Sequence, residues 1–299
     1  MKINRYFFVL ALVFTQSTLY AQTSYTFKVL VSKGQTELKS GTNWSPLKVG
    51  AALKATDEIK LADHAYLGLI NANGKPLELK ESGTHKVVDL AKRMGQEKSV
   101  LNKYTDFILS SQESKRNRLS ATGAVHRGER DQIMLFLPES PREKVYGDRI
   151  VLNWKPLEGA DAYIIIFKTL FEEELIRIES ETNTLEVDLN QKALAKNNEL
   201  MVKVLSKSNP ASHSTEFAIT RLTGKEKAAV KKDIADVSSS LVDNSALSRF
   251  YMAGVFEEKL LVIDAITAYQ DAARMEPEIV AYRDAYEDFL KRLGFKLED

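Results

Sequence analysis

Leu47 to Leu79 reads LKVGAALKATDEIKLADHAYLGLINANGKPLEL. Apolar residues fall at alternate positions: Ile59 and Leu61, then Ala65, Leu67 and Leu69, then Leu77 and Leu79. Gly50 and Asn73-Gly74 punctuate the runs. An extended chain turns successive side chains to opposite faces, so this pattern predicts short antiparallel strands, each buried on one side. Asn73-Gly74 predicts a tight hairpin, because a two-residue primed turn needs positive φ at both central residues.

Alternation returns from Ile133 to Leu222. Ile133-Leu135-Leu137, Ile150-Leu152-Trp154, Tyr163-Ile165-Phe167, Leu175-Ile176-Ile178, Leu185-Val187-Leu189, Met201 to Leu205 and Phe217-Ile219 predict about seven strands, the content of one β-sandwich. Trp154 sits mid-pattern and is expected in the core. From Lys225 the period changes to helical, with Val230, Ile234, Val237 and Leu241 on one face. Asp243, Asn244 and Ser245 are N-cap candidates for the next helix. Between the β regions, Val100, Leu101, Tyr104, Phe107 and Ile108 predict an amphipathic helix over 96–110. The polar, basic stretch 111–131 is expected to be a linker.

The first β region resembles the periplasmic domain of FecR-like proteins. The residues that carry the resemblance are Leu47, Gly50, Leu53, Asp57-Glu58-Ile59, Ala65-Leu67-Leu69, Asn73-Gly74 and Leu77-Leu79. Leu152, Trp154 and Pro156, then Tyr163, Ile165 and Phe167, resemble a fibronectin type III domain, with Leu200 where that family places a tyrosine. Ala253, Phe256, Ala265, Tyr269, Ala272 and Pro277 resemble one tetratricopeptide repeat, with Arg249 departing at the tryptophan position. In such a repeat these residues pack the paired helices.

The expected architecture is multidomain, mainly β with a helical C-terminus. It comprises a signal peptide (1–21), a FecR-like β domain with a trailing helix (22–110), a linker (111–131), an immunoglobulin/fibronectin-like sandwich (132–224) and a helical, tetratricopeptide-like tail (225–299). The resemblance implies an envelope module that binds or relays. The family's anti-sigma role is not carried over, because it needs a cytoplasmic segment and a membrane span that this sequence does not display after residue 21.

Bulk properties agree with a folded, extracytoplasmic chain. Of 299 residues, 44% are hydrophobic and 28% charged, enough for two or three cores. Lysine and arginine number 42 against 41 acids, a balance that argues against a nucleic-acid binder. Lys2 and Arg5 followed by apolar Tyr6–Phe14 and Ala21 predict a cleaved secretory signal. The run is too short for a span of about 20 residues, so no membrane span is expected after cleavage. Cysteine is absent, which excludes a cysteine lipid anchor, disulfides and thiol chemistry. The expected location is periplasmic or secreted.

No catalytic constellation stands out. His64, His85, His126 and His213 are far apart, without HExxH spacing, and GxSxG, Walker and GxGxxG motifs are lacking. Asp57, Asp63 and Asn73 lack calcium-loop spacing. Glu172-Glu173-Glu174 and Glu257-Glu258 are expected to be solvated turns, leaving a hydrolase with the least support. Neither cofactor nor metal is implied. The leading expectation is a non-enzymatic adaptor or scaffold for an envelope protein or peptide. The alternative is a ligand- or carbohydrate-binding sensor in which Trp44, in the turn-like GTNWSP, and Tyr66 contact a glycan or other ligand.

Overall fold

The computed structural model describes residues 25–94, 108, 132–138, 142–238, 241 and 244–297. The expected signal peptide and linker lie outside the described residues, as does the helix over 96–110 except for Ile108, which is helical. Within these bounds the chain is β-rich with a helical end.

The first module contains β1 (Phe27–Lys33), β2 (Thr36–Ser40), β3 (Asn43–Pro46), β4 (Ala52–Leu53), β5 (Glu58–Leu61), β6 (Tyr66–Asn71), β7 (Pro76–Leu79) and β8 (Gly83–Lys86), then a short helix α1 (Val87–Arg93). They form two antiparallel sheets, ordered β4-β1-β6-β7 and β3-β2-β5-β8. Phe27, Val29, Leu53, Ile59, Leu67 and Leu69 are fully buried in one cluster, which Val87 and Leu90 of α1 join.

Two local departures explain the geometry. In β1 the pairing with β6 slips between Val29 and Val31. The bulge leaves Phe27 and Val29 in the inner core but delivers Leu30 and Val31 to a different cluster, behind the sheet. The β6–β7 connection is longer than a two-residue primed turn. Asn71 N–H donates to the Lys75 carbonyl at 2.9 Å, and only Gly74 has positive φ, at 84°. The Asn71 side-chain oxygen accepts from the backbone N–H of Asn73 and Lys75, so an Asx-type bond organises the turn.

The second module contains β9 (Glu143–Val145), β10 (Arg149–Asn153), β11 (Tyr163–Lys168), β12 (Glu174–Ser180), β13 (Thr184–Asp188), β14 (Glu199–Ser206) and β15 (Phe217–Arg221). One sheet runs β12-β11-β14-β15-β9, with β9, absent from the sequence expectation, parallel to β15. Facing it is the β10–β13 pair, extended through a bridge between Leu135 and Trp154. Ile133, Leu135 and Leu137 are buried, but they make only that bridge rather than a full strand. Trp154 is fully buried and meets the Tyr163 ring edge-on at 5.2 Å. β14 alternates half-buried and buried residues along its whole length.

The tail contains α2 (Gly224–Ser238), α3 (Ala246–Glu258), α4 (Val262–Met275) and α5 (Val280–Arg292). Ser245 caps α3, its hydroxyl accepting from Ser248 N–H at 3.2 Å. Ala253, Ala265 and Ala272 are fully buried, which lets α3 and α4 approach closely. Phe250, Tyr269, Tyr282 and Phe289 stack through ring contacts of 5.3–6.0 Å. One apolar cluster unites the tail, the sandwich core and the back of β1 and β6.

Candidate functional site

The tail is bonded to both β modules, and those joints define what remains open. On the sandwich side, α4 presents polar residues at positions i, i+3 and i+7, one helical face. Asp264 accepts from the backbone N–H of Tyr146 at 2.8 Å and of Gly147 at 2.7 Å. Thr267 Oγ1 accepts from Val151 N–H at 2.9 Å, and Asp271 pairs with Arg149. Side chains of a helix thus satisfy donors of the β9–β10 turn and of β10. A Cβ on Gly147 would stand 2.9 Å from Asp264 Oδ1, so a larger residue there would push the carboxylate aside. Burial pushes the Asp264 carboxyl up to about 6, although the two backbone donors pull it the other way.

On the first module's side, the Tyr66 hydroxyl lies 2.7 Å from that of Tyr282. Glu78 Oε1 accepts from Leu247 N–H at 2.8 Å, in the first turn of α3. Lys80 bridges Glu78 and Glu276. Burial raises both tyrosine hydroxyls well above their ordinary range, so they remain protonated donors. Gly68 admits Leu247, whose Cδ1 would stand 3.0 Å from an added Cβ.

Between these joints a half-open groove of about 540 Å³ remains, bounded by the sandwich, α4, α5 and the chain after α5. That volume is within the usual range of ligand sites, roughly 300–1,000 Å³. Phe136, Tyr286, Leu290 and Leu297 supply apolar surface, and Phe136 packs edge-on against Phe295 at 5.4 Å. Lys155, Arg274, Arg283 and Lys296 line it as well, against one acid among the described residues, Glu287. Arg274 is shared with Asp271 and Glu186, whereas Arg283 lies 3.9 Å from Glu287. The Tyr286 hydroxyl is buried with no hydrogen bond of full geometry, and Gln270 is the polar group beside it. Burial raises this hydroxyl as well, which keeps it a donor.

The residues singled out in the sequence are dispersed. Trp44, on the fully exposed strand β3, is 38% exposed, with Lys39 Nζ 5.7 Å and Lys60 Nζ 6.0 Å from its ring. Tyr66, expected as an exposed ligand contact, is instead 3% exposed and faces Tyr282, so the two aromatics line no common cleft. Of the repeat-motif residues, Ala253, Ala265, Tyr269 and Ala272 are buried. Phe256 is half-buried against Tyr146 at 6.4 Å, and Pro277 is exposed beyond α4.

Glu257 is not solvated: Arg292 binds it through two nitrogens, at 2.7 and 3.1 Å, and Tyr269 donates to it at 2.8 Å. Glu172 and Glu174 are exposed and pair with Lys168 and Arg177. Asp57 is a turn-former, accepting from Lys54 N–H at 2.7 Å. Among the described residues no group of three or more His, Asp or Glu side chains is placed to hold a metal ion. The groove escaped sequence reading because its cations come from positions 155, 274, 283 and 296, which no local pattern connects.

No protein-family model matches the chain, and no curated protein matches it. Among solved structures, it is similar to the crystal structure of dimeric latent PorU from Porphyromonas gingivalis, at 11% identity and a TM-score of 0.24. That similarity covers 68% of this chain and 17% of the other. At this level the likeness bears on neither fold family nor activity. No helix among the described residues is long and apolar enough to cross a membrane.

Proposed function

We propose that this chain is a non-enzymatic adaptor of the bacterial cell envelope, periplasmic or secreted, that holds a protein partner. The groove carries this reading: an apolar surface with a charged rim, built by the tail and the sandwich together. In this reading the first module is FecR-like, a view supported by the Leu47–Leu79 pattern and its two antiparallel sheets. The strand order β12-β11-β14-β15 opposite β10–β13, with Trp154 between, supports a fibronectin-like sandwich. The buried alanines of α3 and α4 support a repeat-like tail.

A mechanism follows from the joints. The tail ties both β modules into one frame, so a partner held at the groove is fixed relative to the exposed edge strand β3 and to Phe171, 93% exposed at the β11–β12 turn. Extended segments add to such edges, and grooves take side-chain anchors. Truncation after residue 223 would bare the back of β1 and β6, so point probes are the sounder test. A photo-crosslinking residue placed in turn at Trp44, Phe171 and Arg283 of the full chain is expected to trap discrete envelope proteins at one site or more. Failure at all three sites would sink the adaptor reading.

Trp44 favours a second reading, a glycan- or ligand-binding sensor, because an exposed tryptophan between two lysines suits an anionic sugar. Saturable quenching of Trp44 emission by an acidic polysaccharide, with no crosslinked protein, would favour it.

A further inference from the structure

The chain as a whole is nearly neutral, with 42 basic against 41 acidic residues, yet among the described residues four cations and one acid line the groove. Such local excess raises the concentration and affinity of anions at a concave, partly dry site. Its cations differ in availability. Arg274 already shares its charge with Asp271 and Glu186; Arg283 has Glu287 at 3.9 Å but its side chain is 63% exposed, and Lys296 is exposed. Between them the half-buried Phe136, Tyr286 and Leu297 give apolar surface.

We infer that this groove binds an acidic peptide segment carrying one large apolar side chain. The apolar side chain lies on Phe136, Tyr286 and Leu297, while flanking carboxylates meet Arg283 and Lys296. Apolar surface alone would take many partners; the cation rim selects acidic ones and repels basic ones. Nucleic acid fits less well, because the cations ring a concavity instead of tracking an extended phosphate backbone. The assignment rests on the adaptor reading and names the chemistry of its partner.

The test is fluorescence anisotropy on the full chain, with short fluorescein-labelled peptides rich in Asp and Glu around a single Phe, Trp or Leu. Saturable binding is expected, lost when the apolar residue becomes Ser, and weakened as NaCl rises from about 0.05 to 0.5 M. The double variant Arg283→Glu/Lys296→Glu is expected to bind at least about tenfold more weakly. Its unchanged thermal midpoint would show that the fold survives. The assignment is overturned if peptides of reversed charge bind equally, if the double variant binds as wild type, or if anionic phospholipid vesicles compete with equal potency. Crosslinks at Trp44 or Phe171 that persist alongside failed peptide binding would leave the adaptor reading intact while removing this one.

Discussion

The hydroxyls of Tyr66 and Tyr282 lie 2.7 Å apart, across 216 residues of sequence, and their rings meet edge to face at 6.3 Å. β6 of the first module and α5 of the tail are thereby joined through a buried hydrogen bond. Hydrogen bonds of this kind are asymmetric in energy: each contributes modestly, but orphaning one partner in a dry site costs more.

Tyr66→Phe or Tyr282→Phe alone should destabilise the chain by about 1–2 kcal/mol, because the remaining hydroxyl loses this buried bond. The double variant should cost less than the two singles added, a coupling of roughly 0.5 kcal/mol or more. Urea unfolding of the four proteins checks this, and strict additivity would mean that the two hydroxyls do not interact.

Asp264 should make stability fall as pH rises from about 4 to about 6. Its folded value of about 6 exceeds the ordinary 3.8, so the folded state holds the proton more tightly. The stability due to protonation is fully present below the ordinary value and is lost as pH rises through the folded one. A shift of this size corresponds to about 3 kcal/mol. The difference in unfolding free energy between wild type and Asp264→Asn, followed across this range, isolates the group. Parallel curves would contradict the assignment.

Gly254→Ala should cost about 1–3 kcal/mol, since the new Cβ would stand 2.4 Å from Ile108 Cγ1. With Ile108→Ala already present, the same change should become neutral or stabilising, because alanine is the better helix former by up to about 1 kcal/mol. Thermal melts in both backgrounds read the reversal. Loss in both would show that the clash is with another group.

The two tryptophans should separate cleanly. Trp154→Ala should cost about 3–5 kcal/mol as a core truncation, while Trp44→Ala should stay below about 1 kcal/mol. In the folded protein iodide should quench Trp44 emission and spare Trp154, measured in the Trp154→Phe and Trp44→Phe variants respectively.

The sequence pattern located β5, β6, β7 and most sandwich strands because alternation is a local consequence of the extended backbone. It misjudged β6 as buried on one face. All six of its residues are buried, since α3 and α5 cover the side opposite the inner core. The interleaved YLGLI run carried that signal, as continuous apolar runs mark strands covered on both faces. Tyr66, expected as an exposed ligand contact, is buried for the same reason. α4 carried a comparable clue: Asp264, Thr267 and Asp271 form a polar stripe on a helix whose other residues are largely buried.

Strand and helix period, the absence of cysteine and the balance of charge follow from the chain alone, because each is local or compositional. The back-to-back docking of tail and sheet, the raised Asp264 carboxyl and the cationic groove belong to the folded molecule. They arise where positions far apart in sequence meet, Tyr66 with Tyr282, Tyr146 with Asp264, Lys155 with Arg283, and where burial alters the energy of each charge and donor.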